Sequence, residues 1–98
     1  MADTGDILSG TYRVSDGVVF RELDGEAVIL NLDSGMYFGL DRVGTRVWQI
    51  LEQDGHLAAV VERLLDEYDV APDVLRADVA RLVAALVEKG LVVVSPRT

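Results

Sequence analysis

Few residues of this chain could carry out chemistry, and their spacing fits no catalytic or metal-binding pattern. The one histidine, His56, lies in a Gly-His-Leu turn between two helical patterns, where a histidine more often faces solvent than acts as an acid or base. No cysteine is present, which excludes a thiolate metal site and a disulfide. The sequence also lacks a nucleophile elbow, a phosphate-binding glycine loop and two histidines at metal-ligand spacing. We therefore predict a protein that is not an enzyme and that uses no cofactor or metal.

The acidic side chains are the remaining candidates for chemistry. The seventeen Asp and Glu residues could supply an acid/base pair, but their positions on predicted helix surfaces favour a solvated face. Set against nine Lys and Arg residues, they give a formal charge of −8, a sign that repels the phosphates of nucleic acids. The acidity serves either solubility or the steering of a basic peptide. Nucleic acid is not an expected partner.

Length and composition indicate one small globular domain. The chain has 98 residues, of which half are apolar and 27% are charged. No apolar run approaches the roughly 20 residues of a membrane span, and the first ten residues do not resemble a secretion signal. We expect a cytoplasmic protein with no membrane partner. The predicted organisation is a flexible tail at 1–11, a domain at 12–95 and a short tail at 96–98.

The part of the chain before residue 41 has the pattern of a β-meander. Three dipeptides there accept the positive φ angles of tight turns: Asp16-Gly17, Asp24-Gly25 and Ser34-Gly35. The strands that they separate are predicted at Val18–Leu23, Ala27–Asp33 and Met36–Leu40. In the middle strand Val28, Leu30 and Leu32 share one face, and the residues between them share the other, as in a half-buried strand.

From Asp41 onward the apolar spacing changes to three and four, which predicts three helices. Asp41 is the candidate N-cap of the first helix, which ends before Gly55. The second covers the stripe from Leu57 to Tyr68, and the third runs from Pro72 or Asp73 to Lys89, with Gly90 as its stop. The segment "LVVVS" then predicts a short closing strand.

Three residues on or near these helices have specific expectations. Trp48 and Tyr68 lie on apolar stripes and are expected in the core. Gly44 costs roughly 1 kcal/mol relative to alanine inside a helix, so it indicates either close packing or a late helix start.

The third predicted helix carries more apolar residues than one packed face needs. They are Val74, Leu75, Val79, Leu82, Val83, Leu86 and Val87. Such a helix either lies between two layers or leaves an apolar surface for a ligand.

The strand Met36–Leu40 raises a related question. It ends the meander, so it lies at the edge of the sheet unless the C-terminal strand covers it. It carries no Lys, Pro or bulge to protect that edge. Two interpretations stay open: the edge captures an extended peptide, or the fold or a second copy of the chain covers it.

Two sequence segments resemble a known family. The junction "LDSGMYFGLDRVGTRVWQIL" combines Leu32, Asp33, Tyr37 and Leu40 with the later Gly44 and Trp48. The closing segment "DVARLVAALVEKGLV" spans Asp78 to Val92. Together, over about Val18 to Val94, they resemble the PqqD-like recognition elements of RiPPs, the ribosomally synthesised and post-translationally modified peptides.

This resemblance implies an α+β, winged helix-turn-helix-like fold, with a three-stranded antiparallel meander, three helices and a short C-terminal strand. It implies that the leader segment of a precursor peptide adds to the third strand and packs on the third helix. Without a fused enzyme, the chain is most similar to the stand-alone proteins of lasso-peptide biosynthesis, which hand the precursor to a transglutaminase-like leader peptidase and a cyclase. The alternative is a PqqD-like peptide chaperone for a radical SAM maturase.

The resemblance also implies which residues bind the peptide. The strand residues are Met36, Tyr37, Phe38 and Gly39, and the helix residues are Val74, Asp78, Arg81, Leu82 and Ala85. Leu82 could instead belong to the core, and Asp78 with Arg81 could be an ordinary solvated pair.

Two other functions are compatible with parts of the pattern. A winged-helix DNA-binding protein is disfavoured by charge, and because its usual wing follows the recognition helix. An acidic subunit that dimerises through its edge strand is the other possibility. We expect a monomer or a weak homodimer.

Overall fold

The computed structural model describes residues 7–95. The strands are β1 (Tyr12–Val14), β2 (Val18–Leu23), β3 (Glu26–Asn31), β4 (Tyr37–Leu40) and β5 (Val92–Val94). The helices are α1 (Arg42–Gln53), α2 (Leu57–Glu67) and α3 (Pro72–Glu88). This order confirms the predicted α+β, winged helix-turn-helix-like fold.

Strands β2, β3 and β4 form an antiparallel meander in that order. Asp24 and Gly25 connect β2 to β3 with φ angles of 55° and 84°, as a two-residue hairpin turn of twisted strands requires. The second hairpin is wider than the sequence predicted, because Asn31 ends the regular ladder. Its Oδ1 accepts hydrogen bonds from the N–H groups of Asp33, at 2.9 Å, and Ser34, at 3.2 Å.

Residues alternate along the strands of the meander. One set faces the helices, and the other set faces outward. Phe20, Ile29 and Phe38 lie side by side on the helix-facing side, where Ile29 is fully buried. Across β3, Val28 and Leu30 belong to the opposite side, and Val28 is 50% exposed. The apolar row that the sequence pattern placed on one face of β3 therefore points away from the core.

The C-terminal strand, β5, pairs with β1 and does not pair with the meander. Tyr12 lies opposite Val94 in an antiparallel two-stranded ribbon. The ribbon continues past both strand ends, since the N–H of Ser95 donates to the carbonyl of Thr11 at 2.8 Å. The other side of β1 is also bonded, because the Tyr12 N–H donates to the carbonyl of Gly55 at 2.8 Å. Within residues 7–95, nothing pairs with the outer edge of β4.

The helices begin at the predicted signals. Asp41 caps α1, and its Oδ1 accepts from the Gly44 N–H at 2.7 Å. A Cβ at Gly44 would lie 3.2 Å from the Oδ1 of Asp41 and 3.3 Å from Leu40, so this glycine is closely packed. Pro72 occupies the first turn of α3, where a missing N–H costs no hydrogen bond.

The core lies between the meander and the three helices. Trp48 is 1% exposed, and its ring is stacked on Phe20 with a centroid distance of 6.4 Å. Tyr68 is partly buried against the same core, as are Ile7 and Leu8. The predicted tails at 1–11 and 96–98 lie partly or wholly outside the described residues, and the domain limits 12–95 stay a prediction. No helix within residues 7–95 is long and apolar enough to cross a membrane.

Candidate functional site

An apolar groove lies between β4 and α3. Its volume is about 540 Å³, and Val43, Gly44 and Val47 of α1 lie at its base. We call it the β4–α3 groove. Its other lining residues are Phe38, Gly39, Leu40, Asp41, Val70, Val74, Leu75, Asp78, Val79, Arg81, Leu82 and Ala85.

Seven of the nine residues implied as peptide contacts line this groove. They are Phe38, Gly39, Val74, Asp78, Arg81, Leu82 and Ala85. The other two do not. Met36 precedes β4, and the Tyr37 side chain belongs to the outward side of the sheet, where it is 69% exposed.

The free edge of β4 offers the backbone groups of two residues. The Asn31 N–H donates to the Met36 carbonyl at 2.9 Å, and Leu30 lies opposite Tyr37 in the next register position. Hydrogen-bonded and non-bonded pairs alternate in an antiparallel ladder, so Phe38 and Leu40 direct their N–H and carbonyl groups toward β3. Those of Tyr37 and Gly39 therefore point to the free edge.

Helix α3 serves both the core and the groove, which explains its surplus of apolar residues. Leu75, Val79 and Val83 are buried in the core. Val74 is 58% exposed and lies on the groove side. Leu82 is partly buried against the core and also lines the groove, and its contact with a peptide stays a prediction.

Charged groups lie at the margin of the groove. Arg81 Nη1 is 3.2 Å from Asp78 Oδ1, and both side chains are exposed. The Lys89 ammonium lies 6.0 Å from the centroid of the Phe38 ring, at the outer limit of a cation–π contact. An exposed pair of this kind contributes about 0.2–1 kcal/mol, so these charges are a minor source of binding energy.

Asn31 holds the two walls of the groove in register, and the sequence analysis did not identify this role. Its Nδ2 donates to the carbonyl of Gly90, just after α3, at 3.0 Å. Its Oδ1 accepts from the turn that leads into β4. The only sequence signal for it was a polar residue within an otherwise apolar strand. Val43, Val47 and Val70 were also missed, because groove-lining and core residues share one apolar periodicity.

The groups with shifted pKa values belong to structural contacts away from the groove. The hydrogen bonds from Arg46 lower the pKa of Glu67, and both of its carboxylate oxygens lie 2.7 Å from guanidinium nitrogens. The backbone and side-chain hydrogen bonds of His56 lower the pKa of Asp54, and burial raises the pKa of Tyr12. His56 is exposed, as predicted. Its Nδ1 lies 2.9 Å from Asp54 Oδ1.

The potential metal ligands are dispersed as well. Over the described range, 7–95, no three His, Asp or Glu side chains come together as a set that could hold a metal ion. The groove therefore offers shape, apolar surface and backbone hydrogen bonds, which suit binding of a peptide strand.

Known proteins are similar to this chain in sequence and fold. Residues 26–92 match the family model described as Coenzyme PQQ synthesis protein D (PqqD). The solved structure of TbiB1 in complex with the TbiA(beta) leader peptide is 35% identical, with a TM-score of 0.75, and the match covers 88% of this chain and 98% of that one. Lasso peptide synthetase B1 complexed with the leader peptide is 28% identical, with a TM-score of 0.74 and coverage of 85% and 98%. No curated protein sequence matches the chain. The family match spans more than half of the residues, and the chain therefore belongs to the PqqD family.

Proposed function

We propose that this chain binds the leader segment of a ribosomally synthesised precursor peptide by β-strand addition and presents it to the enzymes of lasso-peptide biosynthesis. The observation that carries this proposal is the free edge of β4 beside the β4–α3 groove. The B1 proteins with which it aligns over nearly their whole length are complexed with leader peptides. Because ribosomes make the precursor, the cytoplasm is the proposed place of action.

The guest strand forms its main-chain hydrogen bonds with Tyr37 and Gly39. Guest residues opposite those two direct their side chains outward, as Tyr37 does, since paired residues share a face. The guest residue opposite Phe38 directs its side chain into the groove, and its neighbours two positions away do the same. Every second leader residue therefore places its side chain in the groove.

Apolar side chains determine most of the affinity. Burying one Leu- or Val-sized side chain contributes about 1.5–3 kcal/mol, whereas one backbone hydrogen bond contributes a net of about 0.5–1.5 kcal/mol. The groove volume of about 540 Å³ falls within the usual range of ligand sites, so more than one guest side chain can enter it. The edge sets the direction and register of the leader, and the groove selects its sequence.

The chain acts in this proposal as a binding module without catalysis. A leader peptidase and a cyclase supply the chemistry after the peptide has been captured. A peptide chaperone for a radical SAM maturase is the second candidate, because the matching family model carries the name of a coenzyme PQQ synthesis protein. The genes beside this one separate the two, since a transglutaminase-like peptidase gene accompanies the first and a radical SAM gene the second.

A direct titration tests the binding function. A fluorescently labelled leader, taken from the precursor gene beside this one, is titrated with the protein while anisotropy is recorded. We expect saturation at a 1:1 ratio, and a weaker complex when alternate apolar leader residues are replaced by serine. A labelled DNA duplex at low salt is the control and is expected to remain free. Saturable DNA binding, or no response to the leader, would exclude the proposed function.

A further inference from the structure

One cation without a charged partner lies beside the β4–α3 groove. Lys89 directly follows α3 and is the only lysine of the chain. Its N–H donates to the carbonyl of Ala85 at 3.1 Å, and Ala85 lines the groove one turn earlier on α3. Its ammonium lies 6.0 Å from the centroid of the Phe38 ring on the opposite wall. The Lys89 side chain therefore reaches from one wall of the groove toward the other.

Lys89 lacks the counter-ion that several other cations of this chain have. Four arginines have a carboxylate oxygen at 3.9 Å or less: Arg13, Arg46, Arg76 and Arg81. Arg21, Arg42 and Arg63 have none, but they are exposed. Lys89 is half-buried, and within residues 7–95 no carboxylate comes that close to its ammonium. A cation that is partly removed from water is stabilised by an anion that enters the same space.

The two ends of β4 differ in charge. The carbonyl of Gly90 accepts a hydrogen bond from Asn31, whose own N–H donates to the Met36 carbonyl just before β4. Lys89, the neighbour of Gly90, is therefore held beside the start of β4. Asp41 follows the other end of β4 and lines the groove there. A guest strand along β4 thus passes from a basic end to an acidic end.

The alternation of side chains brings one guest residue to the basic end. The guest residue opposite Phe38 directs its side chain into the groove, and so does the guest residue two positions nearer to Met36. This second residue lies on the side of Phe38 where Gly90 is bonded to the sheet hairpin. We call it the Lys89-side guest residue. A carboxylate on its side chain has the Lys89 ammonium as its nearest cation.

We propose, on the basis of the proposed leader-binding function, that Lys89 is a specificity-determining residue and selects leaders with Asp or Glu as the Lys89-side guest residue. The guest carboxylate supplies the counter-ion that the chain itself does not place there. A leader with Lys or Arg at this position brings two cations together and is rejected. Apolar contacts still provide most of the affinity, and Lys89 discriminates between leaders that share them.

A second role of Lys89 is independent of the leader. A cation at the C-terminal end of a helix interacts favourably with the helix dipole, and Lys89 lies at that end of α3. This contribution is equal for every leader, so it stabilises the fold without producing a preference between leaders. A test of the proposal therefore has to compare leaders of different charge.

The experiment uses Lys89→Gln, which removes the charge, and Lys89→Glu, which reverses it. Arg76→Glu is the matched control, because it changes the net charge equally at an exposed position on the same helix. The probes are the labelled leader from the precursor gene beside this one and two series of that leader, in which Glu or Lys replaces one residue at a time. Anisotropy titration gives the affinity of each chain for each probe.

With the unmodified chain, one leader position should favour Glu over Lys by at least about tenfold, which corresponds to about 1.4 kcal/mol. This preference should disappear in Lys89→Gln, reverse in Lys89→Glu and persist in Arg76→Glu. The unsubstituted leader should bind Lys89→Gln about fivefold to tenfold more weakly than the unmodified chain. Isotope-labelled methyl groups on the single lysine keep its charge, and their NMR signal should shift when this leader binds.

Three results would overturn the role of Lys89. The first is that no leader position shows a Glu-to-Lys preference that depends on residue 89. The second is that Arg76→Glu changes the preference as much as Lys89→Glu, which would assign it to net charge alone. The third is a uniform loss, or no loss, of affinity for all leaders in Lys89→Gln, which would leave Lys89 only its role at the end of α3. Failure of the leader-binding function is distinguishable, because the unmodified chain would then bind none of the leaders.

Discussion

Strands β4 and β5 both lie at sheet margins, and they differ in what surrounds them. Val94 of β5 and Tyr37 of β4 are comparably exposed, at 62% and 69%. The ribbon of β5 with β1 is anchored, because β1 is bonded to β5 on one side and to Gly55 on the other. Strand β4 has a bonded side, a free edge and a groove below that edge. The two margins therefore differ not in side-chain exposure but in whether unpaired backbone lies beside a cavity.

The two margins differ because of the direction that the chain takes after α3. Gly90 has a φ of 73°, which turns the chain out of α3, and Leu91 is fully buried next to it. The following residues pair with β1 rather than returning to β4. Because the C-terminal strand is used in the ribbon, the groove between β4 and α3 stays open.

The largest expected effect comes from a charge inside the groove. Phe38→Asp removes an aromatic ring from the β4 wall and places a carboxylate in the apolar groove, where the proposal places apolar guest side chains. We expect leader affinity to fall at least about 100-fold, which corresponds to about 2.7 kcal/mol. Anisotropy titration measures this loss, and circular dichroism should show an intact fold. Phe38→Ala is the milder companion and should lose less affinity, and unchanged affinity in both variants would contradict the proposed site.

A proline on each margin compares the two edges directly. Tyr37→Pro removes an N–H that points to the free edge, so no internal hydrogen bond is lost. We expect leader affinity to fall about 10- to 100-fold, since a guest carbonyl loses its donor and the ring crowds the edge. Val94→Pro is the matched control, because the register with Tyr12 directs its N–H away from β1. Equal affinities for the two variants would show that the β4 edge is not used.

Asn31→Asp tests the hydrogen bond that connects the two walls of the groove. This change keeps an oxygen for the turn N–H groups but removes the donor to the Gly90 carbonyl and sets a carboxylate against it. We expect the free energy of unfolding in urea to fall by about 1–2 kcal/mol, with a parallel loss of leader affinity. Leu32→Ser, at a neighbouring exposed position, should leave both quantities unchanged. If Asn31→Asp were as stable as the unmodified chain, the hydrogen bond from Asn31 to Gly90 would not stabilise the groove.

The smallest effect concerns the helices away from the groove. Hydrogen bonds from Arg46 hold the pKa of Glu67 below its ordinary value of 4.5. The stability that this pair contributes is therefore present above pH 4.5 and is lost as the pH falls through the lower, folded-state pKa. At this partly exposed site we expect less than about 1 kcal/mol. Glu67→Gln should show a weaker decline of unfolding free energy with acid than the unmodified chain, and Glu62→Gln serves as the control. Parallel acid profiles for Glu67→Gln and the unmodified chain would refute this assignment.

The sequence predicted the order of elements because their signals are local. Asp24-Gly25 determines a turn by its backbone preference, and Asp41 caps α1 through a bond to a residue three positions later. The surplus of apolar residues on α3 indicated that this helix either lies between two layers or leaves an apolar surface for a ligand, and Val74 lies exposed on the groove side.

Contacts between distant parts of the chain could not be predicted from such local signals. The partner of the C-terminal strand was left open, since periodicity does not specify which margin a short apolar strand joins. Asn31 bonds to Gly90, which lies 59 positions later, and no local pattern predicts that bond. The alternation in β3 was visible, but which side faced the core was not, because Ile29 and Val28 are equally apolar.

Amide hydrogen exchange on β4, with and without leader, tests strand addition most directly. Phe38 and Leu40 direct their N–H groups to β3, so their amides should exchange slowly in the free protein and in the complex. The amides of Tyr37 and Gly39 should exchange quickly in the free protein and become strongly protected at saturating leader. If Tyr37 and Gly39 exchange at the same rate in both states while the leader is bound, the leader does not extend this sheet.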